Sequence, residues 1–267
     1  MNDSKPTLLH FHTFKNGGST LDWILARNFA ERFAETHGPS AESTLYSEDI
    51  ARIMQASPGI VAFSSHHFRF PLVDLHNVLP LVFVRHPLDR VPSIYEQQRR
   101  SSPEHLDNRA YGSLATWVDD ALSASSPMLC DSQVALYGRA GIYYEPPSED
   151  ALQDAMRLID SLDFVGVVSE YIPSMVLLEH LLRPWWPEFD AAYFIQNHSA
   201  REATLDERLA RLQQLLPEQT YQRLLLNNRY DLQLFEHAKH QLRQRCAAIA
   251  DFDERAADLV RRCQALR

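Results

Sequence analysis

The sequence predicts an α/β fold: a doubly wound parallel sheet flanked by helices, with a helical C-terminal portion. Three observations predict it: four short apolar runs, helical spacing after the first and third, and a second half patterned almost wholly as helix. Residues 7–12 (TLLHFH) stop just short of a glycine pair. Residues 19–36 then carry Leu21, Trp23, Ile24, Phe29 and Phe33 near helical spacing, which gives strand, tight loop and helix in that order. Residues 59–64 (GIVAFS) and 79–84 (LPLVFV) are too short for helices and rich in β-branched or aromatic side chains. Their continuous apolarity suits a central parallel sheet covered on both faces. Residues 87–100 follow as a helix with proline at its start, and residues 164–168 (FVGVV) form a fourth strand after a helix capped at Ser148. Residues 169–182, 205–215 and 218–246 complete the pattern as helices.

With 267 residues and 45% hydrophobic content, the chain can bury a full core. No linker, low-complexity tract or fixed-period repeat divides it, so a single domain over 1–267 is expected. The opening MNDSKPTLLHFHTFKNGG holds too short an apolar run for a signal peptide, and no later run approaches the roughly 20 apolar residues of a membrane span. A soluble, cytoplasmic protein is the expectation. Cys130, Cys246 and Cys263 are odd in number and lack CxxC spacing, which suggests neither a disulfide framework nor a zinc site. A formal charge of -9 argues against broad capture of nucleic acid or of a polyanionic polymer, so an anionic ligand needs a local pocket.

Such a pocket is suggested by residues 14–21, FKNGGSTL, between the first strand and the first helix. Unpaired N–H groups and the helix dipole attract an anion there. Gly17 and Gly18 let the backbone approach phosphate oxygens, Ser19 and Thr20 add hydroxyls, and Lys15 adds a mobile positive charge. An ordinary glycine turn with a Ser or Thr cap is the plain alternative. A nucleotide triphosphatase loop, GxxxxGK[ST], places its lysine after the glycines. Here the lysine precedes them, and the third strand ends in Arg85 rather than in an acid that could hold magnesium.

FKNGGSTL resembles the PKTGGTT-type 5'-phosphosulfate loop of the sulfotransferases, in the branch of the glycosaminoglycan 2-O-sulfotransferases and their bacterial relatives. The resemblance implies a P-loop-like sheet, with Lys15, Asn16, Gly17, Gly18, Ser19 and Thr20 wrapping the 5'-phosphosulfate of 3'-phosphoadenosine-5'-phosphosulfate (PAPS). Phe14 and Asn16 stand where that family has Pro and Thr. Residues 81–95, LVFVRHPLDRVPSIY, resemble a second signature, a strand followed by RDPxxRxxSxY. That implies Arg85 and Ser93 on the 3'-phosphate and Arg90 in a structural ion pair; His86 replaces the usual Asp. The segments LDFVGVVSEYIPSMVLLEHLL and NNRYDLQLFEHA extend the likeness over most of the chain. By the same resemblance the loop NHSAR, 197–201, closes over the nucleotide with Arg201 as a contact.

The attacking hydroxyl must lose a proton, and a histidine titrating near neutrality suits that task. His67 in SSHHFRF matches the family's GHxxF position. The adjacent His66 takes the role if the alignment shifts by one residue. His10 and His12 point to one face at period two, and with His66 and His67 they invite a metal reading. No Cys, Asp or Glu at ligand spacing accompanies them, so no metal is expected. The Trp185–Trp186 pair is either an aromatic platform for an acceptor or an anchoring plug. CDSQVALYG, 130–138, receives no role.

The expected reaction is metal-independent in-line sulfuryl transfer from PAPS to an acceptor hydroxyl, with a saccharide among the candidates and adenosine 3',5'-bisphosphate as product. Lys15 neutralises the leaving phosphate and His67 takes the proton. The alternatives are a magnesium-dependent nucleotide kinase of the P-loop class and a non-catalytic nucleotide-binding scaffold. Acceptor class and oligomeric state are left open.

Overall fold

The computed structural model describes residues 5–40, 42–101, 112–139, 146–194 and 204–266. The chain forms two compact units, one within 1–84, 158–199 and 238–267, the other within 85–157 and 200–237.

The first unit holds a five-stranded, all-parallel sheet. Its strands are β1 (Thr7–Phe11), β2 (Phe33–Glu35), β3 (Ala62–Ser65), β4 (Val78–Val84) and β5 (Val165–Val167), in the spatial order β2-β3-β1-β4-β5. Between them run α1 (Gly18–Phe29), a 3-10 turn (Ala30–Arg32) and α2 (Ser47–Ala56). Leu8, Leu9, Phe63, Leu81 and Phe83 are completely or almost completely buried, as expected of strands covered on both faces. Gly166 is required by packing: a Cβ there would lie 2.4 Å from the Phe83 ring. From β1 the chain builds β2 and β3 on one side and β4 and β5 on the other. The order therefore reverses at β1, and the crevice at the C-terminal end of β1 is where such sheets place ligands.

β5 leads through a 3-10 turn (Val168–Glu170) into α7 (Tyr171–Leu182), which packs on α11 (Phe252–Ala265). Arg262 of α11 binds Glu179 of α7 at 2.8 Å, and Glu179 also accepts the Ala191 N–H.

The second unit is helical: α3 (Pro87–Ser101), α4 (Leu114–Ser123), α5 (Ser132–Gly138), α8 (Leu205–Leu215) and α9 (Glu218–Leu226), with parts of α6 (Glu149–Ser161) and α10 (Arg229–Ala247). It has its own apolar core, in which Leu88, Val91 and Ile94 of α3 meet Val118 of α4 and Leu212 of α8.

Two expectations are corrected. Residues 33–36 do not continue the first helix. Ala30 turns to a φ of 48° and breaks α1, and Phe33 starts the edge strand β2. Residues 218–246 form two helices because Asn228 turns its amide onto the Leu224 and Leu129 carbonyls, at 2.9 and 2.6 Å, at the break. No helix among the described residues is long and apolar enough to cross a membrane.

Candidate anion loop and histidine cluster

β1 ends at Phe11, and the chain turns at once: Thr13 N–H donates to the Phe11 carbonyl at 2.7 Å and Asn16 N–H to that of Thr13 at 3.1 Å. Lys15 (φ 60°) and Gly17 (φ 77°) are left-handed, whereas Asn16 and Gly18 are not. Alternation of this kind can turn successive N–H groups into one concavity that suits an anion. Gly17 brings no side chain to cap α1, and the Thr20 N–H turns back onto the Gly17 carbonyl at 3.2 Å; a helix start of this kind is a place where N–H groups suit an anion.

The two glycines have different reasons. Gly17 supplies the positive φ, while a Cβ on Gly18 would sit 2.1 Å from the His12 ring. The buried Asn16 donates its Nδ2 to the Phe83 carbonyl at 3.0 Å, which fastens the loop to β4. Tyr171, absent from the sequence-based site, reaches the loop from α7. Its hydroxyl lies 3.4 Å from the Gly17 carbonyl and bonds the Thr20 side chain, and burial raises its pKa well above the usual value.

Directly beside the loop lies a cluster that spacing did not reveal. Asp22, in the second turn of α1, accepts from His10 Nδ1 at 2.7 Å and from His12 Nδ1 at 2.6 Å. The two imidazoles stack with centroids 5.1 Å apart, and His66 lies 4.0 Å beyond His12. Ser64 Oγ adds a 3.0 Å contact to His10 Nδ1, and the buried His10 Nε2 has no hydrogen-bond partner. Burial alone would raise the Asp22 carboxyl, but His10 and His12 outweigh it and hold the group well below the usual carboxylate range. Burial, then the neighbouring His12, pushes His66 down to about 4. With Nδ1–H of His12 directed at Asp22, its basic lone pair is on Nε2.

His10, His12 and Asp22 offer the atom types of a metal site. These atoms lie within 4.8 Å of one another. As placed, both Nδ1 atoms stand at hydrogen-bond lengths from the Asp22 carboxylate.

A cleft of about 340 Å³ opens beside the cluster, between α1 and β2. His12, Ser19 and Asp22 form one end, Trp23 and Phe33 give aromatic walls, and Glu35 adds a second carboxylate.

His67 is buried and meets Gly38 and His37 rather than the cluster. Its Nδ1 accepts the Gly38 N–H at 2.6 Å, and burial followed by Arg69 lowers its pKa. Of the adjacent pair, His66 is the one brought against His12. In the second unit Arg85 donates through Nε to Asp89 Oδ2 at 2.9 Å, and Arg208 donates to the same carboxylate at 2.6 Å. Burial opposes ionisation of Asp89, but these two guanidiniums keep its pKa low. Gln133 pairs with both backbone groups of Arg85, at 2.9 and 2.8 Å, which gives the segment 130–138 a positioning role the sequence did not suggest. Arg90 is buried and its guanidinium donates to the Met128 carbonyl. Ser93 is half-buried on α3. Arg201 lies outside the described residues. Trp186 is buried edge-on to Phe29 at 5.3 Å, the plug rather than the platform.

Fold and site together define a parallel α/β protein whose central strand ends in a left-handed glycine loop and a histidine–aspartate cluster. No family model matches the chain. It is similar to an uncharacterized protein of Archaeoglobus fulgidus, 28% identical over 241 residues, a match that covers 86% of this chain and 94% of that protein.

Proposed function

We propose that the protein transfers a sulfuryl group from PAPS to an acceptor hydroxyl. The observation that carries this reading is the loop at the end of β1. Its lysine precedes the glycines, its left-handed turn is at Gly17, and Ser19 and Thr20 stand in the first turn of α1, all at the point where the strand order reverses. Such a loop suits a 5'-phosphosulfate. Backbone N–H groups and the Ser19 and Thr20 hydroxyls take the phosphate oxygens, and Lys15 meets charge that grows on the leaving phosphate. The sequence likeness assigns Arg85 and Ser93 to the 3'-phosphate. Asn16 supports this reading as a fastener of the loop to β4 rather than as a phosphate ligand. The proton acceptor is a histidine. Likeness favours His67, with His66 as its neighbouring alternative.

The test is a thermal-shift titration with adenosine 3',5'-bisphosphate in EDTA, set against ATP with Mg²⁺. The bisphosphate should stabilise the protein without metal by mass action, and Lys15→Ala should weaken its binding about 10- to 100-fold, the loss of one charge-assisted contact. Arg85→Ala should remove most of the shift. Stabilisation by ATP only when Mg²⁺ is present would favour a kinase. Bisphosphate binding with no turnover across a diverse acceptor panel would favour a scaffold.

A further inference from the structure

We infer that His12, oriented by Asp22, is the base that deprotonates the acceptor, and that the cleft between α1 and β2 seats an uncharged or cationic hydroxyl compound. The inference rests on the sulfuryl-transfer reading above and moves the base from the loop after β3 to the end of β1.

His12 touches both the anion loop and the cleft. Its ring fills the space over Gly18 that a Cβ would occupy, with Nε2 2.4 Å from that position, and it lines the cleft with Ser19 and Asp22. Asp22 fixes His12 Nδ1 at 2.6 Å, which leaves Nε2 as the proton acceptor and stabilises the imidazolium that forms. The side chain keeps 14% exposure, whereas His10 is wholly buried. His66, held to about 4, is a weak base at neutral pH, and His67 already accepts the Gly38 N–H. The groups that face His12 are His10 on β1, Asp22 on α1 and His66 after β3, with Glu35 of β2 across the cleft.

The transfer balances without another reactant. The acceptor oxygen forms a bond to sulfur, the bond from sulfur to the bridging phosphate oxygen breaks, and the hydroxyl proton passes to His12 Nε2. Adenosine 3',5'-bisphosphate leaves with the bond pair.

The cleft also selects. Among the described residues that line it there is no lysine or arginine; its charged side chains are Asp22 and Glu35, and Phe33 and Trp23, the latter with the Arg27 guanidinium 4.7 Å from its ring centre, give it aromatic faces. Carboxylates repel an anionic acceptor and accept hydrogen bonds from hydroxyl or ammonium groups, while aromatic faces take the apolar side of a sugar or alcohol. The volume is at the low end for small-molecule sites.

The experiment incubates the full chain with ³⁵S-labelled PAPS in EDTA and a panel of neutral p-nitrophenyl glycosides, aminoglycosides, glucuronides and sulfated glycans, with bisphosphate affinity measured in parallel. Label should enter neutral or cationic members and not the anionic ones. Glu35→Lys should shift transfer toward the glucuronides. His12→Ala should lower turnover about 10²- to 10⁴-fold with bisphosphate affinity within about 2-fold, and added imidazole should restore part of the rate. Asp22→Asn, whose amide would donate to Nδ1 and place the proton on Nε2, should lower kcat and leave the acceptor KM unchanged. If His12→Ala keeps wild-type turnover, if only anionic acceptors are labelled, or if the wild type binds the bisphosphate and labels nothing, the inference is overturned. Failure of the wild type to bind the bisphosphate overturns the sulfuryl-transfer reading itself.

Discussion

Two buried aspartates, one in each unit, show how neighbours decide what a carboxylate does. Asp22 sits between two histidine Nδ1 atoms, and its pKa is driven down. Asp131 is no better exposed. It accepts only the backbone N–H groups of Tyr230 and Asp231, at 2.9 and 2.8 Å, and its pKa is pushed up to about 7 by burial and then by the charge of Asp231. Asp231 in turn accepts the N–H groups of Gln133 and Val134, so the two acids cap the starts of α10 and α5 reciprocally. N–H donors satisfy an acid's oxygens without cancelling a second acid nearby. Imidazoles do both, and they leave a base on the far side of the ring. The first arrangement keeps a carboxylate ionised between two imidazoles, and the second holds the starts of two helices.

The largest effect is expected at Asp22. Asp22→Ala leaves two imidazole N–H groups without their acceptor in a buried place, at a cost of about 2–4 kcal/mol, read as a fall in the unfolding midpoint. A loss below about 1 kcal/mol would mean that the histidines do not depend on it. Next is Gly18→Ala, which drives a methyl into the His12 ring and should cost about 1–3 kcal/mol and displace the ring. Gly17→Ala meets only ordinary contacts and should cost about 1–2 kcal/mol through its positive φ.

Asp131→Asn should go the other way. Asparagine keeps the accepting Oδ1 and tolerates the left-handed φ of 43°, but removes the charge that burial and Asp231 oppose. The folded protein holds the Asp131 proton more tightly than the unfolded chain does. This group's contribution therefore declines as pH rises from about 4 to about 7 and is flat above. The variant should flatten that slope and gain about 1–2 kcal/mol at pH 8, as urea titrations at pH 5 and 8 will show. A loss of stability at pH 8 would mean that the ionised carboxylate is the better cap. Smallest is Arg52→Ala, which removes an exposed guanidinium from the half-buried Asp49 of α2 and should change stability by less than about 0.5 kcal/mol.

The sheet was legible because its strands are buried on both faces and read as continuous apolar runs. So was the loop, since Gly17 and Lys15 announce a turn at a helix start. The edge strand β2 was not, because three residues have no period of their own and Phe33 fits helical spacing equally well. The histidine cluster was half legible. His10 and His12 share a face by strand alternation, but their acid lies on the next helix at no ligand spacing, and only the packing of α1 on β1 brings Asp22 to them. Helix period would have exposed a signal: Asp22, among Leu21, Ile24 and Leu25, is an acid on an apolar face. Gln133 and Tyr171 act on distant backbone groups, and nothing local marks them.

The most direct test of the central claim, that the loop after β1 is the anion site, is an NMR titration of the ¹⁵N-labelled protein with adenosine 3',5'-bisphosphate in EDTA. The amides of Gly17, Gly18, Ser19 and Thr20 should shift most, and in Lys15→Ala the same amides should respond only at higher ligand concentration. Saturable binding that leaves those four amides unmoved while others shift would contradict it.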